Sequence, residues 1–219
     1  MKNQKFHVDA IILDLDGTIV DSTEAYVEAA RTAFSTFGKK MPSPNIAFEI
    51  PRRFELGLSL IDLIQGIDLE EFSKIYLKMY YAAAAAKSLP LPGAIEALEK
   101  LALKSKLGLA TRRHVSRNEI KQQLSKIGLA EFFQAIVTGE DVQTPKPSPE
   151  SIIRCSIELG VEPRNCLVVG DSITDVEAGK NASAKTAAVL SGIFSPKELR
   201  ATNPDLILEN VTMLPDFIE

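Results

Sequence analysis

Cysteine is scarce in this chain: Cys155 and Cys166 are the two among 219 residues, and neither belongs to a CxxC pair. That excludes a disulfide framework or a thiolate zinc site, because both need clustered thiols. The two read as buried thiols in a reducing compartment. A basic excess is missing as well. Lysine and arginine number 25 against 29 acidic residues, giving a formal net charge of −4 and a pI near 5.4. Nucleic-acid and membrane-surface partners are therefore not expected, since both usually need a broad cationic face. Small anionic substrates stay open, because a local positive pocket fits on an acidic protein. Long apolar runs are absent too. The opening MKNQKFHVDAIILDLDGT has only a few apolar residues before Asp14, too short for a signal segment or a membrane span. No later segment reaches spanning length without charge, and no internal repeat or disordered tail stands out. The expected location is cytoplasmic.

What is present is a 45% hydrophobic content in short blocks, suited to one medium domain with a smaller one inserted. Runs rich in Val, Ile and Leu at Val8–Leu13, Lys106–Ala110, Ala135–Val137, Cys166–Val169, Thr186–Leu190 and Asp205–Leu208 predict strands. Most are nearly continuous apolar stretches, as in parallel strands covered on both faces. Helical periodicity falls between them, at Ala94–Leu103, Ser116–Ile127, Pro149–Leu159 and about Thr174–Ala182. Alternation of this kind predicts an α/β fold with a doubly wound, Rossmann-like parallel sheet.

One interval breaks the alternation. Residues 21–88 show only helical patterning, with Asp21/Glu24 and Asp68/Glu71 as candidate N-caps and Ser43-Pro44 as another helix start. The expected organisation is a core of residues 1–20 and 89–219 with an inserted all-α domain at 21–88.

The chemistry gathers where apolar strands end. LDLDGT (13–18) delivers Asp14 at a strand's carboxyl edge, where open α/β sheets bind ligands, and places Asp16 one residue beyond the next. Gly17 permits a tight turn, and Thr18 can bond the loop in place. VVGDSITD (168–175) ends a second strand with Asp171 and, four residues on, Asp175. Several carboxylates at neighbouring strand ends are costly without a cation, and hard oxygen donors select Mg2+. Thr111 follows LGLA, and Lys146 sits between two prolines in TPKPSPE, both placed to meet phosphoryl oxygens.

DLDGT, the threonine after LGLA, the lysine of PKPSPE and GDSITD together resemble the haloacid dehalogenase superfamily of phosphohydrolases. The motifs stand in that family's order and span nearly the whole chain, and the helical insert resembles its α-helical cap. The resemblance implies Asp14 as nucleophile and Asp16 as general acid, then base. Thr111 and Lys146 orient the phosphoryl group, and Thr18 faces substrate. A Mg2+ site is implied from Asp14, the Asp16 backbone carbonyl, Asp171 and Asp175. The aspartate at position 16 favours phosphate esters over halides, whose departure needs no proton. One departure is Arg112-Arg113-His114, where the family usually has a small or amide-bearing residue after the threonine. Either arginine is a candidate for enlarging the positive pocket, with Arg112 taken as substrate-binding. In the insert, Arg52 and Arg53 are candidates for gripping a substrate carboxylate or second phosphate. The expected activity is hydrolysis of a small phosphorylated metabolite, phosphoglycolate or a sugar phosphate, by a monomer or homodimer. A phosphomutase of the β-phosphoglucomutase type and an inorganic pyrophosphatase are the alternatives.

Overall fold

A computed structural model describes residues 5–219. In chain order its strands are β1 (Ala10–Leu13), β2 (Val20–Asp21), β3 (Leu89–Pro90), β4 (Lys106–Ala110), β5 (Ala135–Val137), β6 (Cys166–Gly170), β7 (Lys185–Val189) and β8 (Leu206–Leu208). The α-helices are α1 (Thr23–Thr36), α2 (Ile46–Leu56), α3 (Leu69–Lys87), α4 (Ala94–Ala102), α5 (Arg117–Lys126), α6 (Glu150–Leu159), α7 (Ile173–Asn181) and α8 (Pro196–Ala201). The chain divides into two compact units, one running to Val20 and resuming at Pro90, the other Asp21–Leu89.

In the first unit six strands form a parallel sheet in the order β5-β4-β1-β6-β7-β8. Its centre is β1, whose four residues are all fully shielded from solvent. Successive side chains of a strand point to opposite faces. Ile11 and Leu13 therefore join Leu107, Leu109, Leu167 and Val169 in one apolar cluster, closed by Leu98 and Leu101 of α4 and Ile120 and Leu124 of α5. Ala10 and Ile12 join Ala110, Cys166 and Val168 in the other, closed by Ile152, Cys155 and Leu159 of α6 and Ala178 of α7. A strand buried on both faces cannot alternate polar and apolar residues, hence the unbroken AIIL. On the second face α6 lies directly on the sheet backbone. A Cβ at Gly108 would collide with Cys155 Sγ and come within 3.0 Å of Leu159 Cδ1.

From β1 the chain moves to β4 and β5 on one side, then returns to β6 on the other. That reversal opens a crevice at the carboxyl ends of the central strands. β4 and β5 have the expected bounds, the other four expected strands differ at their ends by a residue or two, and α8 lies in a stretch for which no element was expected.

The second unit is three helices held by aromatic rings. Phe72, Tyr76 and Tyr80 recur every four residues and so share one face of α3. They meet Phe34 and Tyr26 of α1, each with ring centroids 5.1 Å apart, and Phe54 of α2 at 5.6 Å. Of the expected caps, Asp68 does accept the Glu71 N–H, at 2.9 Å. Asp21 is displaced by one residue: Ser22 is the N-cap, and Asp21 Oδ1 instead accepts the Thr23 N–H at 2.9 Å. The start expected at Ser43-Pro44 is a turn, and α2 begins at Ile46.

Candidate active site

Four strand ends deliver the charged groups. Asp14 follows β1, and its N–H donates to Val169 O at 2.9 Å, which extends the ladder one residue and aims the carboxylate into the crevice edge. Thr111 follows β4 in the same way, donating to Val137 O at 3.0 Å. Asp171 follows β6, and Lys146 comes from the loop after β5. The Lys146 ammonium donates to Asp14 Oδ1 at 2.8 Å, Asp175 Oδ1 at 2.6 Å and Ala110 O at 2.6 Å. Three acceptors use all three of its protons. Only 3% of this lysine is exposed, so its position is set by those bonds and not by solvent.

Each carboxylate is held in turn. Asp175 lies in the first turn of α7, where the N-cap Ser172 makes a reciprocal box with it. Ser172 N–H and Oγ donate to Asp175 Oδ2 at 3.1 and 2.6 Å, leaving Oδ1 for Lys146. Asp171 Oδ1 accepts from Thr18 Oγ1 at 3.1 Å. Its other oxygen lies against two glycines. A Cβ on Gly17, whose φ of +73° itself favours glycine, would sit 2.7 Å from Asp171 Oδ2, and one on Gly192 would overlap it. Ser191 closes this cradle by donating to Gly17 O at 2.6 Å. The loop at 191–192 carried no signal in the sequence beyond a serine and a glycine after a strand.

Asp14, Asp171 and Asp175 each offer an oxygen, and these atoms all lie within 4.8 Å of one another. A single lysine does not balance three carboxylates. Burial, then repulsion from Asp175 and Asp16, pushes Asp14 up to about 8, although Lys146 pulls the other way. Lys146 is itself raised, because the attraction of Asp14 and Asp175 outweighs its own burial. A cluster that favours a proton on one member still lacks positive charge, and all-oxygen donors suit a hard divalent ion. The residues fit Mg2+.

Asp16 points elsewhere. Its two oxygens accept from Arg113, Oδ2 from Nε at 2.7 Å and Oδ1 from Nη2 at 2.5 Å. The strand ends thus separate into two charge groups, one around Lys146 and one around Arg113.

The sequence pattern of the haloacid dehalogenase-like hydrolases matches residues 11–189, from β1 to β7. The chain belongs to this family. Among its relatives, a pyrophosphatase PpaX of Bacillus velezensis is 31% identical, the alignment covering 94% of each chain. A phosphoglycolate phosphatase of Psychrobacter arcticus is 24% identical over 95% of this chain and 94% of its own. The crystal structure of a hydrolase from Pseudomonas syringae, 27% identical, superposes with a TM-score of 0.73 over 94% of this chain and 96% of that one. The charge groups above thus stand at the carboxyl edge of the doubly wound sheet of a haloacid dehalogenase-like hydrolase.

The residues expected at substrate have the following protein partners in this hydrolase. Thr18 is fully buried and its hydroxyl is committed to Asp171, so it positions a carboxylate. Arg112 donates through Nη1 to the Lys146 carbonyl, bracing the lysine loop. Arg53 is bound within the helical unit by Glu49 at 2.9 Å, Ser59 O at 2.7 Å and both oxygens of Asp62. Those bonds raise its pKa further and make it a strut between α2 and the following loop. Arg52 lies 3.6 Å from Glu49, with 27% of its side chain exposed. Thr111 accepts the Arg113 N–H at 3.2 Å and is 3% exposed.

Proposed function

We propose that this hydrolase is a Mg2+-dependent phosphatase acting on a small phosphorylated metabolite through a phosphoaspartate at Asp14. The observation that carries this reading is the contact of the buried Lys146 ammonium with Asp14 Oδ1 at 2.8 Å, beside Asp171 and Asp175. An anionic nucleophile approaching an anionic phosphate needs fixed positive charge at the point of attack. Asp14, Asp171 and the Asp16 carbonyl would hold Mg2+, which would supply charge neutralisation for the transferring group. Asp175 serves that site from behind by holding Lys146.

The residues divide the work as follows. An oxygen of Asp14 attacks phosphorus, the ester P–O bond breaks, and Asp16 gives its proton to the departing alkoxide. Water then attacks the phosphorus of the phosphoaspartate, Asp16 takes the water's proton, and the bond to Asp14 breaks to release inorganic phosphate. Thr111 and Lys146 orient the phosphoryl oxygens throughout. The helical unit, read as a cap, would carry substrate selection, and Arg52 is its candidate contact.

Replacing Asp14 with Asn is expected to lower turnover by about 10³-fold or more, the scale on which loss of an attacking group acts. Mass spectrometry of quenched wild-type enzyme should find one added phosphoryl group on the peptide bearing Asp14. Near-wild-type turnover by the variant would remove Asp14 from the role. Chelation should abolish activity and Mg2+ restore it. Pyrophosphate hydrolysis is a second reading, favoured by the pyrophosphatase relative at 31% identity. Assays of phosphoglycolate, sugar phosphates and pyrophosphate under one Mg2+ concentration separate the two by their kcat/KM. Phosphate release, as opposed to transfer within a sugar, separates both from a mutase.

A further inference from the structure

Arg113 is an unusual side chain for its place. It stands three residues beyond the end of β4, only 3% of it is exposed, and its guanidinium is bonded on both sides. One edge forks onto Asp16, with bonds of 2.7 and 2.5 Å. The remaining nitrogen, Nη1, donates to Gln123 Oε1 of α5 at 2.6 Å, and Gln123 is itself buried. The backbone is fixed as well. Arg113 N–H donates to Thr111 Oγ1 at 3.2 Å, and Arg113 O accepts from Gly139 N–H at 2.8 Å. A Cβ on Gly139 would press to 2.8 Å from Arg112 O and 3.1 Å from Arg113 O, so this close approach is built into the loop.

We propose that Arg113 is the positioning residue for Asp16, fixing the plane and direction of the carboxylate that exchanges protons with the leaving group. This rests on the reading of Asp16 as the acid and base. A carboxylate has roughly four lone-pair sites on its two oxygens. The fork fills two of them and sets where the other two point. A planar, five-donor guanidinium does this; an ammonium, a point charge with no plane, does not. Gln123 and Gly139 support the arginine from the side and from the backbone. Asp16 is also kept out of the Asp14–Asp171–Asp175 group, whose oxygens converge without it. Lys146 serves the nucleophile and Arg113 serves the proton carrier, so one cation attends each of the two reacting carboxylates.

The test compares kcat/KM for an alkyl phosphate, whose alkoxide needs a proton, with that for p-nitrophenyl phosphate, whose phenolate leaves without one. This parameter ends at the first irreversible step and so omits release of the phosphoenzyme. Arg113→Ala and Arg113→Lys are expected to lower the alkyl value by about 10²-fold, the lower end of what positioned acid–base help supplies. The aryl value should change less than about threefold on the same scale. Gln123→Ala, which leaves the guanidinium in place but unbraced, should fall in the same direction by a smaller factor, and it carries the test should Arg113→Ala fail to fold. Asp16→Ala separates the two ideas. If it discriminates between the substrates and the Arg113 and Gln123 variants lose both equally, Arg113 is structural and the proposal fails alone. If Asp16→Ala shows no discrimination, the acid role ends and the proposal ends with it. Full alkyl activity in Arg113→Lys would also overturn it, because a lysine cannot reproduce the fork.

Discussion

At the scale of single residues, burial decides reactivity. Cys166 is shielded in the sheet, and burial pushes its thiol up to about 11; Cys155 is raised further by the same cause. The thiolate is the reactive form, so both should be inert at pH 8. Titration with a disulfide reagent should find no reactive thiol in the folded protein and two after denaturation; rapid labelling of the folded chain would contradict the burial. Asp14 and Asp171 were legible in the sequence because each follows a continuous apolar run, with Asp16 and Asp175 close behind them, whereas Lys146 stood out by the prolines on either side of it. Arg113 was legible only as a charge. Its partner Asp16 lies 97 residues away, and no local pattern encodes a pairing that the strand order creates. Arg53 shows the converse. A proline-flanked arginine pair reads as a ligand contact until Asp62, nine residues on, is seen to take its fork.

At the scale of elements, caps and cross-ties hold the loops that carry the site. Ser116 and Glu119 box the start of α5, the helix that bears Gln123. Bonds from Ser116 lower the pKa of Glu119, so the folded value lies below the unfolded one. Its contribution is present above the ordinary carboxylate range and is lost as pH falls through the folded value. Glu119→Gln should therefore melt below wild type at pH 7, with the gap closing in acid; a gap independent of pH would assign the effect to packing. Arg117, which follows Ser116, ties α5 to Asp141 at 2.7 Å and forks onto Glu158 of α6 at 2.9 and 2.8 Å. These groups are partly solvated, so removal of the arginine should cost about 1 kcal/mol. Calorimetry of Arg117→Ala should show a melting temperature lower by a few degrees with KM unchanged. Sequence periodicity located α4 to α7 closely because each buries one stripe on the sheet. It missed α8, a six-residue helix that buries only Leu199 and so has too short an apolar repeat to register.

At the scale of the molecule, a cation that binds only the folded state stabilises all of it. At a Mg2+ concentration one hundred times Kd, mass action adds about 2.7 kcal/mol. For a chain of this length that corresponds to a rise in melting temperature of roughly 5–10 °C. Asp171→Asn should remove most of the rise while the metal-free protein melts near wild type. An undiminished rise in the variant would place the ion elsewhere. The reading of an α/β core was secure because a buried central strand, AIIL, needs helices on both sides and therefore a parallel sheet. The family match over residues 11–189 agrees with that architecture.

Because all six strands of the sheet run one way, the side chains assigned to chemistry emerge at one rim, and the turns entering the strands lie at the other. Leu103, 88% exposed just before β4, belongs to that far rim. A cysteine introduced there would be the sole accessible thiol, since the native pair is sealed in the interior. The first unit thus has a ready attachment point for a fluorophore or a solid support at the sheet edge opposite Asp14 and Lys146.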